Sequence, residues 1–144
     1  MIAKHGVSVI IPTYCGAARI ARALQSLVTQ SLSNEMFEVI VLVNGIDDGV
    51  AVVVENYRAQ LNIRLEHLRE KSVSRARNYG IELAEFNYIV FIDDDDWVSE
   101  QYLEQLLNLA TQNCLVLAPV VKVADNSTLT TNDNKSNHRL IKLQ

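Results

Sequence analysis

Four consecutive carboxylates, Asp93, Asp94, Asp95 and Asp96, follow an apolar run that ends at Ile92. At neutral pH such a run repels itself strongly unless a cation offsets its charge. An oxygen-only donor set suits a hard divalent ion, Mg²⁺ or Mn²⁺, which takes one or two carboxylates and completes its shell with water and phosphate oxygens. That chemistry points to a ligand carrying a diphosphate. The other reading of the same residues is a solvated acidic loop that caps the helix after it.

Three more polar groups have the spacing of loops that end strands. Ser72, Ser74, Arg75, Arg77 and Asn78 open a helix, where free amides and an arginine fork suit phosphate or ribose oxygens. Residues 75 and 77 point about 200° apart on a helix, so one of the two can face a crevice squarely. Arg77 is the candidate, and the alternative is a solvated face carrying both. Pro12, Thr13, Tyr14 and Cys15 form a turn in which Tyr14 offers a flat face to a nucleobase, or else simply packs. Asn44 to Asp48 is the last group. Cys15 has no activating base near it in sequence and reads as an inert, partly buried thiol. His5, His67 and His138 form no cluster, and Trp97 is expected to anchor the acidic loop against the core.

The elements that must position these groups alternate. Val7 to Ile11 is a β-branched run, and Ala17 to Leu32 places Ile20, Leu24, Leu27 and Val28 on one helical face. Phe37 to Val43 reads as a strand buried on both faces. Val50 to Tyr57 suits strand or helix by periodicity; a crossover between parallel strands makes it a helix, with Asp47 or Asp48 as N-cap. Leu61, Ile63 and Leu65 alternate in a third strand, Ser72 to Ala84 has helical spacing, and Tyr88 to Ile92 is a fourth strand. Ser99 opens a helix with Leu103, Leu106, Leu107 and Ala110 on one stripe, and Leu115 to Val123 is a fifth, proline-containing strand near a sheet edge or bend. The pattern predicts an α/β fold, a mostly parallel sheet with helices on both faces. Ligands of such sheets bind beyond the carboxyl ends of the strands, which brings all four polar groups to one crevice.

The 144 residues suit one domain, 1–124, followed by a polar tail, 125–144, rich in Asn, Ser and Thr and expected to be disordered or truncated. A net charge of −4 excludes the basic field that sequence-independent nucleic-acid binding needs. Two distant cysteines exclude a disulfide scaffold or structural zinc and point to a reducing cytosol. No apolar run reaches the roughly 18 residues of a membrane span. The expected location is cytoplasmic, with peripheral membrane attachment as the variant.

Taken together, Val7-Ser8-Val9-Ile10-Ile11-Pro12-Thr13-Tyr14, Val43-Asn44-Gly45-Ile46-Asp47-Asp48-Gly49, Ser72-Val73-Ser74-Arg75-Ala76-Arg77-Asn78-Tyr79-Gly80 and Phe91-Ile92-Asp93-Asp94-Asp95-Asp96-Trp97 resemble family 2 glycosyltransferases over residues 6 to 123. The resemblance implies a Rossmann-like GT-A fold that binds a nucleotide-diphospho-sugar, usually a UDP-sugar, with Mg²⁺ or Mn²⁺. It implies nucleotide contacts from Pro12, Thr13, Tyr14, Asn44, Arg77, Asp93 and Asp94. Asp93-x-Asp95 looks like the DxD motif, with Asp95 on the metal and Asp96 supporting the loop or the sugar. The acceptor would be a glycan, a lipid or a protein.

The chain departs from the family pattern in three places. Cys15 stands where asparagine is usual, and Asn44 where an acidic residue usually meets the base. An asparagine amide carries both a donor and an acceptor for a uracil edge, and Asp47 or Asp48 supplies acidity nearby. The family's inverting reaction also needs a carboxylate base near the acceptor, and no acidic residue follows Asp133. The acceptor half and the general base are therefore expected outside this chain, which would bind donor with little transferase activity of its own and self-associate through uncovered apolar surface. The alternatives are a non-catalytic nucleotide or metal module and an aspartate-dependent phosphohydrolase using Asp93 as nucleophile.

Overall fold

A computed structural model describes residues 3–110, 114–117 and 139–142. The chain forms two compact units, Met1–Leu107 and Asn108–Gln144. The first is built on a four-stranded parallel sheet of β1 (Lys4–Thr13), β2 (Phe37–Asn44), β3 (Ile63–Leu68) and β4 (Phe86–Phe91), in the order β3-β2-β1-β4. Its helices are α1 (Ile20–Val28), α2 (Val50–Glu55), α3 (Val73–Leu83) and α4 (Tyr102–Leu109), the last running just past the unit's end.

Strand alternation sorts the apolar residues onto two faces. Val7, Val9 and Ile11 of β1 and Val39, Val41 and Val43 of β2 meet Ile20, Leu24 and Leu27 of α1, Val50 and Val54 of α2 and Leu103 of α4. Ile10, Ile40 and Leu42 point the other way, against Ala76, Tyr79 and Leu83 of α3. A β-carbon on Gly80 would lie 2.6 Å from Ile10 Cγ2, so the bare backbone there lets α3 settle directly on β1. Each fully buried Leu, Ile or Val contributes about 1.5–3 kcal/mol of transfer free energy. The sheet therefore holds the strand ends rigidly.

One buried polar pair lies on the α3 face. Ser8 Oγ donates to Glu38 Oε1 at 2.6 Å, the same carboxylate oxygen accepts the Glu85 amide at 2.7 Å, and Ser8 Oγ accepts the Phe86 amide at 3.2 Å. These contacts tie the start of β4 to β1 and β2.

Several expected boundaries move. The first helix is Ile20–Val28, not Ala17 to Leu32. At its start the chain turns tightly on the Gly16 carbonyl, which accepts from the amides of Arg19 and Ile20. Beyond its end, the Gln30 side chain bonds the Ser99 carbonyl at 2.7 Å and the Leu103 amide at 3.0 Å, drawing the chain out of the helical path. The last helix starts at Tyr102, and the Ser99 carbonyl accepts the Tyr102 amide at 3.0 Å. The fifth strand does not join the parallel sheet. β5 (Cys114–Leu117) pairs antiparallel with β6 (Arg139–Lys142), with Leu115 opposite Ile141 and Val116 opposite Leu140. A strand thus lies inside the expected polar tail, where a short apolar pair is masked by polar composition around it. The expected boundary at 124/125 and the Pro119 bend fall outside the described residues.

Among the described residues, no helix is long and apolar enough to cross a membrane.

Candidate functional site

In the order β3-β2-β1-β4, the chain leaves β1 toward one side of the sheet and returns to β4 on the other. The carboxyl ends of β1 and β4 are therefore the switch point at which open α/β sheets bind ligands. A cleft of about 220 Å³ lies there, walled by Pro12, Thr13, Tyr14, Arg19, Asn44, Val73, Asp93, Asp94 and Asp95. Of the residues expected from sequence, Pro12, Thr13, Tyr14, Asn44, Asp93, Asp94 and Asp95 meet in this one place. Arg77 and Asp96 are not part of its wall.

The four aspartates divide their tasks. Asp94 is buried and turned inward: Oδ2 accepts from Thr13 Oγ1 at 2.7 Å, and the Arg19 fork reaches Oδ1 and Oδ2 from Nε and Nη2, each at 3.2 Å. Arg19 also donates to the carbonyls of Tyr14 and Cys15, which fixes the turn after β1. The hydrogen bond that Arg19 donates to Asp94, and the charge of that carboxylate, push the guanidinium's pKa further up. A β-carbon on Gly16 would collide with both Thr13 Oγ1 and Asp94 Oδ2, so this corner closes only over glycine.

Asp93, Asp95 and Asp96 instead point outward, each offering a carboxylate oxygen within 4.8 Å of the others. Burial pushes the Asp96 carboxyl upward, and the neighbouring Asp95 and Asp93 push it in the same direction. Burial, followed by Asp96, raises the Tyr102 phenol. Three crowded carboxylates of this kind match the oxygen donor set of Mg²⁺ or Mn²⁺. Asp93 Oδ1 is partnered by Arg77 Nη2 at 3.2 Å, and the Arg77 guanidinium lies 5.7 Å from the Phe91 ring centroid. Among the described residues, Arg77 Nε is the buried side-chain nitrogen with no hydrogen-bond partner. Arg75 turns away and pairs with Glu70, in keeping with the angular separation of residues 75 and 77.

At the other end of the cleft, Asn44 closes β2, is 1% exposed, and accepts the Ser72 amide on Oδ1 at 2.6 Å. Ser72 caps α3, its Oγ accepting the Arg75 amide. Tyr14 is exposed, with Lys71 Nζ 3.7 Å from its ring centroid, so a cation already covers one face of the expected base platform. The N-cap of α2 is Gly49, in the left-handed region, and not Asp47 or Asp48 as expected; Asp47, two residues before it, accepts the amides of Gly49 and Ala51 on Oδ1, while its Oδ2 meets His67 Nε2 at 3.0 Å. Asp48 receives the Ala17 amide. Cys15, expected as partly buried, is exposed, with φ 48 in the left-handed region. The Trp97 ring carries the Arg22 guanidinium at 4.9 Å.

Sequence reading missed Arg19, Lys71 and Val73. Arg19 sits near the start of an amphipathic helix, and only the fold shows that it faces an aspartate 75 residues away.

The family profile described as Glycosyl transferase family 2 matches residues 8–143. The chain is 36% identical over 110 residues to the uncharacterized glycosyltransferase EpsJ of Bacillus subtilis, covering 76% of this chain and 31% of that protein. It is 33% identical over 99 residues to the poly(ribitol-phosphate) beta-N-acetylglucosaminyltransferase TarS of Staphylococcus aureus, covering 67% of this chain and 17% of that one. The chain thus spans less than a third of the length of these two relatives. The crystal structure of S. aureus TarS 1–349 in complex with UDP-GlcNAc superposes with a TM-score of 0.75 at 28% identity, over 87% of this chain and 37% of that one. The mannosyltransferase PcManGT of Pyrobaculum calidifontis, solved with GDP-Man and Mn²⁺, shares the fold at a TM-score of 0.70 and 23% identity, over 81% of this chain and 35% of that one. The GT-A type of α/β fold is shared throughout, and the phosphohydrolase alternative is set aside. With the acidic loop, the β1 turn and the parallel sheet in the places the motifs anticipated, the chain belongs to glycosyl transferase family 2.

Proposed function

We propose that this chain forms the donor-binding side, residues 1–124, of a metal-dependent glycosyltransferase. It would move a sugar from a nucleotide-diphospho-sugar, first among them a UDP-sugar, to a hydroxyl of a glycan, lipid or protein, with inversion at the anomeric carbon. The observation that carries this reading is the outward-facing carboxylate trio of Asp93, Asp95 and Asp96 at the sheet's switch point. Similarity to proteins solved with UDP-GlcNAc supports a uridine donor.

Asp95 and Asp96 would hold Mg²⁺ or Mn²⁺, with Asp93 shared between that site and Arg77. When bound, the cation supplies charge that stabilises the departing diphosphate. Arg77 keeps Asp93 in place and brings a guanidinium charge beside the same end of the cleft, its unpartnered Nε being shut away from solvent. Thr13 and Asp94 hold the loop at the height the donor needs, and Tyr14 and Asn44 flank the nucleoside. Asp94 is engaged by Thr13 and Arg19 and Asp93 by Arg77, so we assign the base that deprotonates the acceptor to residues outside this cleft.

Calorimetric titration of UDP with Mn²⁺, with Mg²⁺ and with chelator tests the reading. Metal-dependent binding that disappears in Asp95→Ala is expected. Binding that is indifferent to metal, or absent under every condition, overturns it.

A further inference from the structure

Asparagine ordinarily offers a ligand both a donor and an acceptor. At position 44 the fold has already used one of them. Asn44 Oδ1 takes the Ser72 backbone amide at 2.6 Å, a short contact that fixes which way the side-chain amide faces, because a backbone N–H can only donate. The residue is 1% exposed and lines the cleft. Its Nδ2 has no hydrogen-bond partner among the described residues, and it is not among the nitrogens shut away from solvent. What remains for a ligand is an N–H donor held in a fixed direction.

We propose that Asn44 is a specificity residue that reads an acceptor atom on the donor's base, a ring carbonyl or a lone-pair ring nitrogen, and does not accept from a ring N–H. This rests on the nucleotide-donor reading above and adds the polarity of one base contact to it. Position supports the base as the group being read. Asn44 ends β2, whereas the carboxylate trio follows β4; β1 stands between them, so the two lie about two strand spacings apart, roughly 10 Å. A diphosphate held at β4 would therefore carry its nucleoside toward β2. An ionisable carboxylate at the same position would make the opposite contact, since it can only accept.

Asn44→Asp separates the two polarities without disturbing the loop, because a carboxylate oxygen still accepts the Ser72 amide. The affinities of UDP and of base-free ribose 5-diphosphate are measured with Mn²⁺ for the full chain and for the variant. The base-free ligand accounts for any general repulsion between the new charge and the phosphates. The expected result is a UDP preference over ribose 5-diphosphate that falls about tenfold in Asn44→Asp, the scale of one lost hydrogen bond with an acceptor left facing an acceptor. A preference that is unchanged or grows, with both ligands still binding, overturns the inference and leaves the nucleotide reading standing. Failure of the unaltered chain to bind either ligand overturns both. A second variant, Asn44→Gln, removes the fit to Ser72 while keeping the amide, and is expected to lose the UDP preference as well.

Discussion

Thr13 and Asp94, 81 residues apart in the chain, share a 2.7 Å hydrogen bond that joins the end of β1 to the acidic loop after β4. Both are buried, and the bond closes the floor of the cleft at the sheet's switch point. Thr13→Val keeps the shape and removes the donor, leaving Asp94 with the Arg19 fork alone. The expected cost is about 1 kcal/mol of stability. Gly16→Ala, which forces the same corner apart, should cost more. Urea denaturation of the two variants checks the order.

Adjacent aspartates should behave as different classes of residue. Asp94→Ala removes the partner of Thr13 and Arg19 and is expected to destabilise the fold by about 2 kcal/mol, discounted from the value for a fully buried pair because the Arg19 side chain is 46% exposed. Asp95→Ala should leave stability unchanged and abolish metal-dependent nucleotide binding. Paired melting and calorimetry on both variants would sink this division if Asp95→Ala unfolded the chain or Asp94→Ala left it equally stable.

Mn²⁺ at a hundred times its dissociation constant should stabilise the folded chain by about 2.7 kcal/mol, since the carboxylate trio exists only when folded. Thermal melts with and without Mn²⁺ are expected to differ for the unaltered chain and to coincide for Asp95→Ala.

Asp47 sets a pH window. The hydrogen bond to His67, aided by the Gly49 and Ala51 amides, holds the Asp47 carboxyl below the usual carboxylate range. A carboxyl whose folded value is depressed contributes stability above its unfolded value, and that contribution is lost as pH falls through the folded value. Asp47→Asn should therefore be less stable than the unaltered chain at neutral pH, with the gap closing in strong acid. Urea midpoints across a pH series measure the gap; a constant difference would refute the assignment.

Glu38 should prove structural. Glu38→Ala strands Ser8 and the Glu85 amide without their shared acceptor, and about 2–3 kcal/mol of destabilisation is expected with no change in nucleotide binding per folded molecule. Denaturation and calorimetry on one sample separate the two.

What the sequence showed of this molecule follows from the range of each signal. β1, β2 and α3 were legible because buried parallel strands are runs of Val and Ile, and α3 has a serine cap and a helical stripe. The acidic loop was legible as a cluster, yet its division was not: nothing in four identical neighbours says that the second turns inward, and Arg19 and Thr13 decide it from remote positions. The orientation of Asn44 was likewise invisible, since it depends on a backbone amide 28 residues on. The pairing of β5 with β6 was missed because Leu140 and Ile141 are too short an apolar signal within a polar tract.

α3 touches both extremities of the cleft. Its cap, Ser72, is bonded to Asn44 of β2, and its Arg77 is bonded to Asp93 after β4. Five residues of helix advance about 7.5 Å, a span that a hydrogen-bonded rod does not stretch. With Gly80 seating that rod on Ile10, the helix acts as a ruler laid along the binding site. It fixes the separation of Asn44 and Asp93, so neither end of the cleft can shift along the sheet without the other.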